Sequence, residues 1–230
     1  MSGAFHLTPI EAAERLSFVR AGIARAAERA GRDPAEVTLL AVSKTHPPEA
    51  VERYLEAGQQ DFGESYIQEA REKIPAVREG ARWHYIGHLQ TNKAKHAARL
   101  FPVIHALDSL ELASELNRRL ISDGKTVEAY IQVNVSGEGA KSGMPPEALP
   151  EFLDALSAYA AVVPVGLMTM PPFDPDPEAA RPHFRRLREL RDRSAPALRG
   201  LSMGMSGDYE VAVEEGSTVV RVGTALFGPR

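Results

Sequence analysis

The spacing of apolar positions alternates between two periods along the chain. From Pro9 to Ala30, Ile10, Leu16, Val19 and Ile23 fall roughly on one helical face with arginines and glutamates between them, which predicts an amphipathic helix stopped by Gly31. Asp33-Pro34 turns the chain. Val37 to Val42 is then almost uninterruptedly apolar, the pattern of a strand buried on both faces. A helix from about Pro47 to Ala57 follows, with Gly58 as its stop. The pair recurs as QDFGES and YIQEAREKI, WHYIG and TNKAKHAARL, then PVIHAL and DSLELASELNRRLISDG, where Asp108 or Ser109 is the N-cap and Gly124 the stop. VEAYIQVNV precedes PPEALPEFLDALSAY, helical despite Pro150; VVPVGLMTM precedes EAARPHFRRLRELRDRS; LSMGMS precedes DYEVAVEEG; TVVRVGTALFG reads as a closing strand.

Strand and helix alternate about eight times, which implies a parallel sheet with helices outside it. That count predicts an α/β fold, a single (β/α)8 TIM barrel over residues 1–230 as one domain, with an extra N-terminal helix. An open doubly wound sheet is the alternative, since alternation alone does not prove closure. No composition break divides the chain. Four prolines in MPPFDPDPEAA, Met170 to Ala180, exclude regular structure up to the helix that follows.

A barrel places its active site on the loops after the strands. There the unusual residues gather: Lys44, Gly63-Glu64-Ser65, Gly87-His88-Leu89, Asn134-Val135-Ser136, Met168-Thr169-Met170, Met205-Ser206-Gly207 and Val222-Gly223-Thr224. Lys44 ends a core strand, where desolvation lowers an amine's pKa and makes it a nucleophile toward carbonyls. An exposed loop lysine, or one paired with Glu64, is the competing reading. Ser206 and Gly207 lead into a helix whose free N–H groups favour an anion, provided the carboxylates of Asp208 and Glu210 face away. Gly223 permits close backbone approach and Thr224 supplies a hydroxyl. These loops follow the seventh and eighth strands, the usual phosphate site of the fold.

A Schiff-base lysine with a phosphate cradle suits pyridoxal 5'-phosphate. Alternation sends Arg221 either into the barrel or out to the helices; inside, its guanidinium would donate to the cofactor's pyridine nitrogen and keep that nitrogen unprotonated.

Composition narrows the classes further. A net charge of −4 and a pI near 6.0 argue against nucleic acid as the main partner. The absence of cysteine removes disulfides and thiolate metal sites. The N-terminus has no basic, then apolar, leader and no apolar run reaches a membrane span, so a cytoplasmic protein with no membrane partner is expected.

The motifs AVSKTHP, FGESYIQE, WHYIGHLQTNK, VNVSGEGAKSGM, GLMTM, LSMGMSGD and VVRVGTALFG occur in the order found in the pyridoxal phosphate homeostasis family (YggS/PROSC), and the chain resembles that family over nearly its whole length. The resemblance implies a barrel of the alanine racemase N-terminal type without that enzyme's second domain. It implies Lys44 as the Schiff-base lysine, Ser206, Gly207, Gly223 and Thr224 as phosphate contacts, Arg221 beside the pyridine nitrogen, and Met203 and Met168 lining the ring pocket. It also implies buffering or delivery of the cofactor, without established catalysis, to pyridoxal-phosphate-dependent apo-enzymes; a monomer is expected. Two positions depart from the family's pattern: Ser65 stands where many members have Asn, and Ala140 where Ser is frequent.

Competing readings remain. A racemase would need a second acid/base such as Tyr66, Tyr85 or Tyr130. A cofactor-independent Schiff-base aldolase would work without pyridoxal phosphate. Lys141, in a glycine-flanked loop, is a rival amine that reads as a solvated loop lysine. His84 and His88 stand about 13 Å apart if both lie on a strand, so no metal site is expected, and either one hydrogen-bonds near the rim. The arginines of ARPHFRRLRELRDR read as a solvated helix face behind the Phe184, Leu187, Leu190 stripe, and Lys93 and Lys95 as decoration of a helix start.

Overall fold

The computed structural model describes residues 7–137 and 142–229. Thr8 and Glu11 form a reciprocal capping box that starts α1 (Pro9–Arg29), and Leu16, Val19 and Ile23 form its buried stripe. Eight strands then follow, β1 (Thr38–Val42), β2 (Asp61–Glu64), β3 (Arg82–Tyr85), β4 (Val103–Leu107), β5 (Val127–Gln132), β6 (Val162–Met168), β7 (Gly200–Met205) and β8 (Val219–Val222). Each pairs in parallel with the next, and β8 closes on β1 with Leu40 opposite Arg221. The barrel reading therefore holds, and the open sheet does not.

The strands alternate with α2 (Pro48–Glu56), α3 (Ile67–Ala76), α4 (Ala94–Leu100), α5 (Leu110–Ser122), α6 (Leu149–Leu156), α7 (Arg181–Ser194) and α8 (Tyr209–Glu214). Ser109 caps α5 by accepting from Leu112 N–H. Pro150 is tolerated because it falls in the first turn of α6, where its missing N–H has no intrahelical partner to lose. One expectation is corrected: TVVRVGTALFG does not end as a strand. β8 stops at Val222, and Thr224–Phe227 turn into a short helix, α9.

Each strand divides its side chains between two environments. Leu39, Ala41, Phe62, Ile104, Ala129, Leu201, Val220 and Val222 join one large core between sheet and helices. Leu40, Val103, Tyr130, Met168 and Val219 form a small apolar cluster inside the barrel. The rest of the buried interior includes polar side chains, among them His84, His105, Ser202 and Arg221. Among the described residues no helix is long and apolar enough to cross a membrane.

Candidate functional site

The C-terminal ends of the strands surround a cavity of about 280 Å³. Lys44, Arg221, Ser206, Gly207, Gly223 and Thr224 all line it. Val42 and Ile86 add apolar wall, and the loop from Met170 to Ala180 completes the enclosure.

Lys44 lies two residues beyond β1 in a tight turn and is half-buried. The turn is held from several sides. Ser43 N–H donates to Gly63 O at 3.0 Å, and His46 N–H closes the turn on Ser43 O at 3.0 Å. Thr45 adopts φ 68°, a left-handed conformation that costs energy in a β-branched residue. Its N–H donates to Glu69 Oε1 at 2.7 Å. The Lys73 ammonium binds Ser43 O and Glu64 Oε1, each at 2.7 Å, and also Glu69. Glu64 is thus engaged by Lys73 and by the Ser43 hydroxyl, which donates to Oε1 at 2.7 Å. Burial pushes the Glu64 carboxyl upward, and the Lys73 charge opposes it.

Ser206 joins two loops. Its Oγ accepts from the N–H groups of Gly223 at 3.1 Å and Ala225 at 3.4 Å, so the turn after β7 is tied to the turn after β8. A Cβ placed on Gly207 would meet nothing within 4 Å, so glycine leaves the cavity open at that point. Asp174, Asp176 and Asp208 also line the cavity, each with an oxygen held by backbone N–H, whereas Glu210 is turned away. Asp208 Oδ1 accepts from Met205 N–H at 2.6 Å, and Glu210 pairs with Arg29 at 2.9 Å on the outer surface. Asp174 and Asp176 accept from backbone N–H groups of their own loop.

Arg221 points inward. Val219 joins the cluster inside the barrel while Val220 and Val222 join the outer core, as strand alternation requires. Its guanidinium donates to Ser202 Oγ at 2.6 Å and to Thr169 O at 2.9 Å. Burial brings its pKa down to about 10, opposed by the charge of Asp208, so it remains a cation at neutral pH.

The structure does not bring Met168 and Met203 to the cavity. Both are completely buried, Met168 in the cluster inside the barrel and Met203 in the core outside it. Met170 and Met205 line the cavity instead. On β7, Met203 faces outward by ordinary alternation beside inward Ser202, and Gly204, whose φ of 94° accompanies a register shift between Ser202 and Met205, brings Met205 to the cavity.

His84 is not near the rim. It points into the barrel and contacts His105 and Asp61, whereas His88 lies beyond β3 with Nδ1 3.9 Å from Asp108. Among the described residues no three His, Asp or Glu side chains group as metal ligands. The α7 arginines are not simply a solvated face, because Arg181, Arg185 and Arg188 converge on Glu215. Lys93 and Lys95 are exposed. Ser65 is absent from the cavity lining; its carbonyl accepts from Tyr85. Ala140 and Lys141 lie outside the described residues.

An amine, a buried guanidinium, two glycine-containing turns and an apolar wall fit a small ring bearing an aldehyde and a phosphate.

Comparison with known proteins agrees with this chemistry. The family described as "Alanine racemase, N-terminal domain" matches residues 15–230. A protein of Aquifex aeolicus named pyridoxal phosphate homeostasis protein is 45% identical over 226 residues, 96% of this chain and 99% of its own. One of the same name from Pseudomonas aeruginosa is 45% identical, covering 95% of each chain. The solved structure of PipY from Synechococcus elongatus with PLP bound superposes with a TM-score of 0.82 at 36% identity, covering 94% of this chain and 100% of that one.

Proposed function

The chain belongs to the alanine racemase N-terminal-domain family and to the pyridoxal phosphate homeostasis proteins within it, and from that premise we propose that it holds pyridoxal 5'-phosphate for buffering and delivery, as a Schiff base on Lys44. The observation that carries this reading is the convergence of Lys44, Arg221 and the two turns clipped by Ser206 on one cavity. When bound, the cofactor brings an aldehyde for the amine and a phosphate for the turns. The two turns at Ser206–Gly207 and Gly223–Thr224 serve the phosphate through the Gly207 and Thr224 N–H groups and the Ser206 and Thr224 hydroxyls, while Gly223, its N–H held by Ser206 Oγ, allows close approach. Arg221 serves the ring nitrogen, and, being a permanent cation, leaves that nitrogen without a proton of its own. A ring so held is a weak electron sink, which suits a carrier better than a catalyst.

A racemase would need a second acid/base in the cavity. Tyr85 donates to the carbonyls of Ser65 and His88, Tyr130 stacks on His105, and Tyr66 is half-exposed; none of the three lines the cavity. In the carrier reading the protein acts as a monomer and passes the cofactor to apo-enzymes that depend on it.

The test is spectroscopic. Purified protein titrated with pyridoxal 5'-phosphate should gain a visible band that borohydride bleaches, and mapping should find the reduced adduct on Lys44. Lys44→Ala should lose the band while keeping its circular dichroism. No band in the wild type, or an adduct on Lys141 instead, overturns the assignment; turnover of a chiral amino acid above free cofactor overturns the carrier reading.

A further inference from the structure

A line of polar side chains crosses the barrel interior from the cavity to the opposite end. Arg221 is 4% exposed and, among the described residues, makes no ion pair; Asp208 acts on it only through its charge. Its Nη1 donates to Ser202 Oγ at 2.6 Å. Ser202 Oγ lies 2.8 Å from His105 Nδ1, His105 Nε2 lies 3.0 Å from His84 Nδ1, and His84 Nε2 lies 3.0 Å from Asp61 Oδ1. The five residues come from β8, β7, β4, β3 and β2, and Asp61 is the first residue of its strand, at the end away from the cavity.

The donors can be assigned. An ionised Asp61 only accepts, so His84 carries hydrogen on Nε2. His105 is held well below its usual pKa, first by burial, with the cationic Arg221 and Arg82 adding to it, and is neutral with a single N–H. If that hydrogen is on Nε2, His105 donates to His84 Nδ1, Ser202 donates to His105 Nδ1, and both imidazoles are neutral. The reverse tautomer would leave His105 Nε2 as an acceptor and require an imidazolium at His84, a second cation in the barrel. The first arrangement needs no charge in the line beyond Arg221 and Asp61. Every donor then points the same way, from guanidinium to carboxylate, and such chains polarise cooperatively.

We propose that Ser202, His105, His84 and Asp61 are positioning residues that give the buried Arg221 guanidinium a remote carboxylate counter-ion and so set how strongly it donates to the ring nitrogen of bound pyridoxal phosphate. This rests on the cofactor reading above. The other charged or titratable groups facing the line are Arg82, paired with Glu128 at 2.7 Å, Tyr130, stacked on His105 at 4.3 Å, and Asp208. None of them interrupts the hydrogen-bonded path.

Two measurements test the proposal. In cofactor-free protein labelled with nitrogen-15 histidine, His84 and His105 should both be neutral with hydrogen on Nε2, and His105 should not titrate between about pH 5 and 8. Hydrogen on His105 Nδ1 overturns the relay. In cofactor-loaded protein, Asp61→Asn leaves the Arg221 charge less balanced and disfavours a further proton in the cavity, so the pH midpoint of the visible band should fall by about half a unit. That shift should vanish in a Ser202→Ala background, because the path is already cut. If Ser202→Ala does not fold, His84→Phe cuts the path two residues further along. An unmoved midpoint in Asp61→Asn, or the same shift in the cut background, overturns the proposal. A wild type with no band defeats the cofactor reading instead, and the nitrogen-15 spectrum still decides the relay alone.

Discussion

The Lys73 ammonium donates to Glu64 Oε1 at 2.7 Å, and the two side chains are 3% and 0% exposed. The same ammonium binds the carbonyl of Ser43, the residue before Lys44, while Glu69, its other partner, accepts from Thr45 just after. A buried ion pair on α3 and β2 thus fixes the turn that carries the proposed Schiff-base amine.

Removing the cation should therefore cost both stability and site geometry. Lys73→Met leaves the Glu64 carboxylate buried with only the Ser43 hydroxyl as donor, and breaking such a pair costs about 3–5 kcal/mol. Urea unfolding should show a loss of that order, and the remaining folded protein should bind pyridoxal phosphate more weakly because Thr45 loses support for its left-handed backbone. A loss below about 1 kcal/mol would show the pair to be incidental.

Glu64 also predicts a pH dependence. Burial raises its carboxyl above the ordinary 4.5, with the Lys73 charge opposing, and among the described residues Oε2 has no donor. A carboxyl raised in the folded state holds a proton that the unfolded chain has already released, so its contribution is complete below pH 4.5 and is lost as pH rises through the folded pKa. The stability of wild type relative to Glu64→Gln should fall across that window. Chemical denaturation at closely spaced pH values measures the difference; a rise with pH would mean that Lys73 outweighs burial.

Gly207 separates folding from binding. A side chain there enters open space, so Gly207→Val should fold with an unchanged melting temperature. The new branched side chain would occupy room needed by the phosphate, and affinity for pyridoxal phosphate should fall at least about tenfold, the equivalent of about 1.4 kcal/mol. Absorbance titration reads the affinity. Unchanged binding would move the phosphate away from this turn.

Much of the site was legible because unusual residues stand where apolar strands end. Lys44 follows a run of core residues, and Ser206, Gly207, Gly223 and Thr224 follow β7 and β8, so topology alone brings them together. Met168 and Met203 rest on the resemblance alone; alternation carries Met203 outward beside inward Ser202, and the positive φ of Gly204 that turns Met205 to the cavity is invisible in a string of residue letters. His105 and Ser202 lie inside strands and carried one available signal, a polar residue on the alternation that faces inward. Lys73 gave none: in YIQEAREKI it looks like any solvated helix lysine, and only the three-dimensional approach of α3 to β2 buries it. The prolines of the loop from Met170 mark it as irregular, but its role as a cavity wall depends on how it folds back over the rim.

Gly204 itself gives a stability prediction. A Cβ there would stand 2.5 Å from Ala212 Cβ on α8, and its φ of 94° is one that L-residues rarely adopt. Gly204→Ala must push α8 outward or distort β7, and should destabilise by more than about 1 kcal/mol, with a weakened cofactor band because Ser206 follows two residues later. Equal stability would imply that the turn relaxes freely.

Glu215 should behave oppositely to Glu64 in acid. Its side chain is 6% exposed and receives Arg181, Arg185 and Arg188 at 3.2, 2.9 and 3.1 Å. Burial alone would raise its carboxyl, but the hydrogen bonds from Arg185 and Arg181 and the surrounding charge outweigh that and hold it below 4.5. A depressed carboxyl stabilises the fold fully above pH 4.5 and loses that contribution as pH falls through the folded pKa. Glu215→Gln should therefore lower the melting temperature at pH 7 and converge with wild type in acid. The arginines released from Glu215 would also expose positive charge on α7. A weak, salt-sensitive affinity for nucleic acid, absent from wild type, should then appear in a filter-binding assay. If wild type already binds as tightly as the variant, the ion-pair network is not what masks that surface.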